Sequence, residues 1–169
     1  DTDRSRGLGD VYKRQTMNGS WGYSVKDQNY KTGNALIQYL VRTAGKGANL
    51  LLNVGPQANG EIPEAATARM KAIGEWLNTY GETIYGTTAG DIPEHSWGVT
   101  TRRGDKLYVH ILDLEDQALF IPLAGKKVKK AISFKDKSPV RFTKTKTGVT
   151  LELPQVPDET DYVVELTTD

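Results

Sequence analysis

Hydrophobic positions change their rhythm twice along this chain. From Gly33 onward, Leu36, Ile37, Leu40, Val41 and Ala44 fall at offsets of zero, one, four, five and eight, which is one face of an α-helix. Gly45 and Gly47 predict its end, because glycine readily adopts the left-handed conformation that helix C-termini need. Leu50, Leu51, Leu52 and Val54 then form an apolar run without alternation, flanked by Asn49 and Asn53. A strand buried on both faces of a parallel sheet reads this way. Gly55-Pro56-Gln57-Ala58-Asn59-Gly60 predicts a loop. Pro63 suits a first helical turn, with Glu61 and Glu64 near the positive end of the helix dipole. Met70, Ile73, Leu77 and Tyr80 mark that helix's apolar face, Gly81 its stop, and Thr83 to Tyr85 a short strand after it. Helix, buried strand, loop and helix in this order imply an α/β unit with a parallel sheet.

Beyond about Gly90 the spacing becomes that of an antiparallel protein. Short β-rich runs recur at Trp97–Arg102, Leu107–Leu112, Leu119–Leu123, Lys129–Phe134, Val140–Lys144, Val149–Leu153 and Tyr162–Leu166. Arg103-Gly104-Asp105, Gly125, Ser138-Pro139, Thr147-Gly148 and Pro154 to Asp158 supply the turns between them. Seven short strands suggest a β-sandwich. The expected fold class is α/β followed by all-β, with the division between Thr87 and Pro93, so that residues 16–90 and 91–169 form two units.

Composition narrows the partners. The chain has 169 residues, 37% hydrophobic and 25% charged, as an ordinary soluble fold would. A net charge of +1 offers no electrostatic reason to expect nucleic acid. No apolar run approaches the roughly 20 residues that span a bilayer, so no membrane span is expected. There is no cysteine, and only His95 and His110 could offer imidazole, so neither a metal site nor a cofactor is expected. The lysines at 126, 127, 129, 130, 135, 137, 144 and 146 are balanced by nearby acids and read as solvated, edge-protecting strand faces. Residues 1–15, DTDRSRGLGDVYKRQ, lack periodicity and resemble translated sequencing-adaptor sequence; the alternative is a natural polar tail. Either way they are expected to stand outside the fold, as a non-native or disordered leader.

Three segments, in order, carry a resemblance: Thr16-Met17-Asn18-Gly19-Ser20-Trp21-Gly22-Tyr23; then Gly45-Lys46-Gly47-Ala48-Asn49-Leu50-Leu51-Leu52-Asn53-Val54-Gly55-Pro56 with Gly60-Glu61-Ile62-Pro63; then Ile73-Gly74-Glu75-Trp76-Leu77-Asn78-Thr79-Tyr80-Gly81-Glu82-Thr83-Ile84-Tyr85-Gly86-Thr87. Together they resemble the α-L-fucosidases of glycoside hydrolase family 29. The resemblance implies that residues 16–90 are the C-terminal part of a catalytic (β/α)8-like barrel and that residues 91–169 are the family's C-terminal sandwich. It also implies retaining hydrolysis of terminal α-L-fucosyl linkages on glycans, by a parent enzyme that is periplasmic or secreted. In this family the aspartate nucleophile and the acid/base glutamate lie upstream of the segment that matches here at residues 20–23. No catalytic residue is therefore assigned, and the chain alone is expected to be inactive.

Two side chains are candidates for substrate binding. The family places an aromatic at the position of Trp21, lining the fucose pocket; an indole suits the sugar's C–H face, and the alternative is packing at the barrel end. Asn53 closes the buried strand and should project at the C-terminal rim, where barrel enzymes place their sites. Its amide would orient substrate or, as the plainer alternative, cap the turn into Gly55-Pro56. Asn18, Tyr23 and Asn59 share that rim with weaker claims. Glu61, Glu64, Glu75 and Glu82 are explained by helix dipoles and solvated faces, and neither histidine has a triad partner at a suggestive spacing. The β-rich half has two further readings: a structural brace, or a carbohydrate-binding module using Trp97, Tyr108, Phe120, Phe134, Phe142 or Tyr162.

Overall fold

The structure is a computed structural model, and it describes residues 12–114, 116–123, 125–154 and 159–169. Strand β1 (Tyr12–Thr16) lies parallel to β2 (Asn49–Asn53), with Thr16 opposite Asn53. Between them, helix α1 (Gly33–Gly45) begins at Thr32, whose hydroxyl accepts the Ala35 N–H at 3.1 Å. Helix α2 (Glu64–Tyr80) follows β2. Leu36 of α1, Ala66 of α2 and Met17 form a small core against which Leu52 and Val54 pack. Because strand side chains alternate, Leu51 and Asn53 face the other way.

Four expectations change here. The leader was expected to extend through residue 15, but residues 12–15 belong to β1; residues 1–11 lie outside the described residues. The strand read as buried on both faces is partly buried on one, with Leu51 52% exposed, because helices cover only the Leu52 side. Met70, placed on the apolar face of α2, is 51% exposed; Trp76, stacked on Tyr80 at 5.2 Å, fills that face instead. The expected strand at Thr83–Tyr85 is a 3-10 turn over Gly81–Thr83 running into a further turn. Thr83 donates its hydroxyl to the Tyr80 carbonyl at 2.7 Å and accepts the Thr101 hydroxyl at 2.6 Å, so it needs no strand partner.

The β-rich half contains every strand run that the sequence pattern suggested, each within two residues of its expected bounds. One sheet has the order β3 (Thr88–Ala89), β4 (Gly98–Arg103), β5 (Lys106–Ile111), β10 (Tyr162–Thr168), β7 (Val128–Ser133); the other has β6 (Ala118–Pro122), β9 (Gly148–Glu152), β8 (Phe142–Lys144). All pairings in both sheets are antiparallel. Strand β3 pairs with β4, so the sheet starts inside the range 16–90 first given to the α/β unit. Leu107, Val109, Ile111, Val164 and Leu166 from the first sheet meet Leu119, Ile121, Val149 and Leu151 from the second in one core. This is a β-sandwich.

The first sheet is covered on its other face too, which is why β5 is buried nearly throughout. Tyr108, Phe134 and Val163 pack on Tyr80 and Trp76 of α2, and Val99 packs on Ile37 and Val41 of α1. The helix approaches so closely that a Cβ at Gly45 would stand 2.5 Å from that of Val99. Within this layer His110 and Asp161 are both fully buried, joined from Nδ1 to a carboxylate oxygen at 2.7 Å. The His110 Nε2 lies 3.1 Å from the Thr101 hydroxyl, which in turn donates to Thr83. Hydrogen bonds therefore run from β10's approach through β5 and β4 to the turn after α2. Gln38 adds amide contacts to the Thr160 and Leu112 carbonyls at 3.1 and 3.4 Å.

Candidate functional site

Because β1 and β2 are parallel and in register, their C-terminal ends open onto one rim, and the loops at 17–32 and 54–63 both leave from it. The first loop is held by its own polar groups. The Lys31 ammonium donates to the Thr16 and Asn18 carbonyls at 2.8 and 3.4 Å, and the Lys31 N–H to the Met17 carbonyl at 2.7 Å. Asn18 is buried and donates to the Asp27 carbonyl at 3.3 Å, while Ser20 donates to the Asp27 carboxylate at 2.7 Å. That Ser20 hydroxyl, opposed by desolvation and helped by backbone N–H groups, holds the Asp27 carboxyl below the usual carboxylate range.

The two sequence candidates meet on this rim. The Asn53 amide donates to the backbone carbonyl of Trp21 at 2.6 Å, leaving the indole 57% exposed, with Tyr23 half-exposed beside it. The contact is tight behind them as well: a Cβ on Gly55 would stand 2.5 Å from the backbone of Gly22 and Tyr23. Asn53 thus secures the Trp21 loop, a role between the substrate contact and the turn cap suggested by the sequence. Asn59 and Glu61 close their own turn, amide to carboxylate at 2.8 Å. Lys31, Ser20 and Asp27 escaped the sequence reading, because nothing in their spacing shows that the loop folds back on itself.

Elsewhere the acids are structural. Glu82 accepts from Tyr108 at 2.9 Å and Lys106 at 3.2 Å, and these bonds, Tyr108's first, lower its carboxyl below the usual range. Glu75 pairs loosely with Lys71 on an exposed helix face. His95 stacks on Trp97 at 5.5 Å between ring centroids. His110 does have a carboxylate partner, Asp161, fifty-one residues away, but the pair is sealed in the core. Lys126, Lys135 and Lys137 are paired to Asp91, Glu159 and Glu165. Among the six aromatics suggested as a binding platform, Tyr108 and Phe134 are buried and Trp97, Phe142 and Tyr162 pack against the core; Phe120 alone is well exposed, at 45%. Among the described residues no three histidine, cysteine or acidic side chains are placed to hold a metal, and no helix is long and apolar enough to cross a membrane.

The chain as a whole is similar to known proteins. Residues 8–82 match the family model of α-L-fucosidases. An α-L-fucosidase of Dictyostelium discoideum is 31% identical over 160 residues, covering 87% of this chain and 34% of that protein. The solved structure of α-L-fucosidase isoenzyme 1 from Paenibacillus thiaminolyticus superposes with a TM-score of 0.85 at 33% identity, over 95% of this chain and 40% of that one. A glycoside hydrolase family 29 α-L-fucosidase from Bacteroides thetaiotaomicron, trapped as a covalent intermediate, matches at a TM-score of 0.85 and 27% identity, over 95% of this chain and 38% of that one. The chain thus spans between 34% and 40% of the length of these relatives. By sequence over residues 8–82 and by fold over nearly its whole length, the chain is similar to α-L-fucosidases, among them one of glycoside hydrolase family 29.

Proposed function

We propose that the chain forms the last strands and helices of a (β/α)8-like catalytic barrel, followed by the C-terminal sandwich, of a retaining exo-α-L-fucosidase acting on fucosylated glycans. The barrel part runs to about Thr87 and the sandwich follows it. Within the barrel, Trp21 forms one apolar wall of the fucose pocket, and Asn53 holds that wall in place. The observation that carries this reading is the Asn53–Trp21 pair: a half-exposed indole fixed by its backbone at the C-terminal rim of two parallel strands, where barrel enzymes act. The exposure of Leu51, on the strand face away from the helices, fits a strand that further barrel residues would cover.

Retaining hydrolysis needs two carboxyl groups about 5 Å apart, one attacking the anomeric carbon and one passing the proton. Among the described residues, the acids on the loops leaving this rim include Asp27 and Glu61, which accept hydrogen bonds from Ser20 and Asn59. The chain therefore supplies pocket wall and scaffold, while nucleophile and acid come from barrel sequence it does not contain, and alone it is inactive. The sandwich braces the helices through the His110 relay and the Gln38 amide. The test is fucose release from an aryl α-L-fucoside by this chain joined to the upstream barrel of the Paenibacillus relative. Trp21→Ala is expected to lower kcat/KM about tenfold or more, as loss of an aromatic sugar contact would. An active chimera indifferent to Trp21→Ala would remove Trp21 from the pocket.

A further inference from the structure

A cavity of about 530 Å³ opens at one end of the sandwich, between the sheets, far in sequence from Trp21. Its volume lies within the range of small-molecule sites, roughly 300–1,000 Å³. The floor is apolar: Leu153 is buried, and Val140 and Tyr162 pack against the sandwich core. Gln117, Arg141 and Glu152, all exposed, also line the cavity. Arg141 and Glu152 are cross-strand neighbours, the Glu152 N–H donating to the Arg141 carbonyl at 2.9 Å. Yet among the described residues their side chains form no ion pair with each other or with any third group, and the Gln117 amide is likewise free. Other opposite charges on the sandwich surface do pair, as Arg102 and Lys126 do with Asp91.

We propose that this cavity is a saccharide-binding subsite, separate from the barrel rim, for one or two neutral sugar rings. One guanidinium and one carboxylate cancel in charge, which disfavours an anionic or cationic ligand. Held apart, they offer donors and acceptors to adjacent hydroxyls, with charge-assisted bonds the stronger kind. Tyr162 packs against the core and also lines the cavity, so the part of its ring left uncovered offers a sugar's C–H face an aromatic surface. A peptide adding itself as a strand is disfavoured, because the β7 edge here is already bridged: Ile132 pairs with Pro139, and the Val140 N–H donates to the Ala131 carbonyl at 3.0 Å.

The inference does not depend on the parent's activity and is tested on the chain as it stands. Titration with L-fucose, D-galactose and N-acetylglucosamine, with glucuronate and glucosamine as charged controls, is followed by amide and side-chain NMR. Saturable shifts at Gln117, Arg141 and Tyr162 are expected with at least one neutral sugar. Arg141→Ala and Glu152→Gln should each weaken binding about tenfold, the scale of one lost charge-assisted hydrogen bond, with the thermal midpoint unchanged. No saturable shift at these residues, shifts with charged ligands alone, or shifts confined to the Trp21 rim would each overturn it.

Discussion

The side-chain amide of Asn53 donates a 2.6 Å hydrogen bond to the backbone carbonyl of Trp21, thirty-two residues earlier. A strand end thereby fixes the loop that leaves the neighbouring strand, and the indole is presented without being buried. Asn53→Ala should release this loop more than it destabilises the fold. A net hydrogen bond is worth about 1 kcal/mol, so the denaturant midpoint should move little. Hydrogen exchange at residues 20–24 should accelerate clearly, and unchanged protection there would show that the loop is held by something else.

Gly55 sets a steric version of the same constraint. Alanine there would press its Cβ to 2.5 Å from the Gly22–Tyr23 backbone, and backbone cannot step aside as a side-chain tip can. Gly55→Ala is expected to cost about 1–3 kcal/mol, the usual range for overpacking, and so more than Asn53→Ala. Equilibrium urea unfolding of the two variants ranks them.

How much of this was legible beforehand follows from which interactions are local. Helix α1 was readable because Leu36, Ile37 and Val41 repeat at helical spacing, whereas its Thr32 cap came only with the fold. The sandwich strands were readable because buried Val149 and Leu151 alternate with the less buried Thr150 and exposed Glu152. Leu51 misled because an all-apolar run does not say which face is covered, and here helices pack only on the Leu52 side. Thr83 misled because its partner is a threonine hydroxyl on another strand, which no local pattern encodes. Trp21 and Asn53 were each singled out as candidates, from family motif and strand position, but their bond to one another was not legible. His110 and Asp161 are fifty-one residues apart, so only the fold joins them.

That buried pair makes a sharper energetic prediction. Replacing Asp161 by Ala leaves a His110 nitrogen unpartnered with no access to water, at about 3 kcal/mol. Thr101→Val breaks the relay on its other side. A double-mutant cycle of these two changes, read by urea unfolding, should show coupling; additive effects would mean that the hydrogen bonds are independent.

Acid should loosen the junction between helices and sandwich. Hydrogen bonds from Tyr108 and then Lys106 hold Glu82 below its ordinary value of 4.5, and Lys46 and Arg42 do the same for Glu94. A depressed carboxyl stabilises the fold fully above its unfolded value and loses that contribution as pH falls through its folded one. The thermal midpoint should therefore hold at neutral pH and decline below about pH 4.5. Combining Glu82→Gln with Glu94→Gln should flatten that decline, and an equally steep one in the double variant would place the acid sensitivity elsewhere.

The central claim, that this chain carries a pocket wall but none of the catalytic carboxyls, is most directly tested by assaying the chain alone against an aryl α-L-fucoside. Fucose release at the uncatalysed rate is the predicted result, and catalytic turnover that survives purification would contradict it.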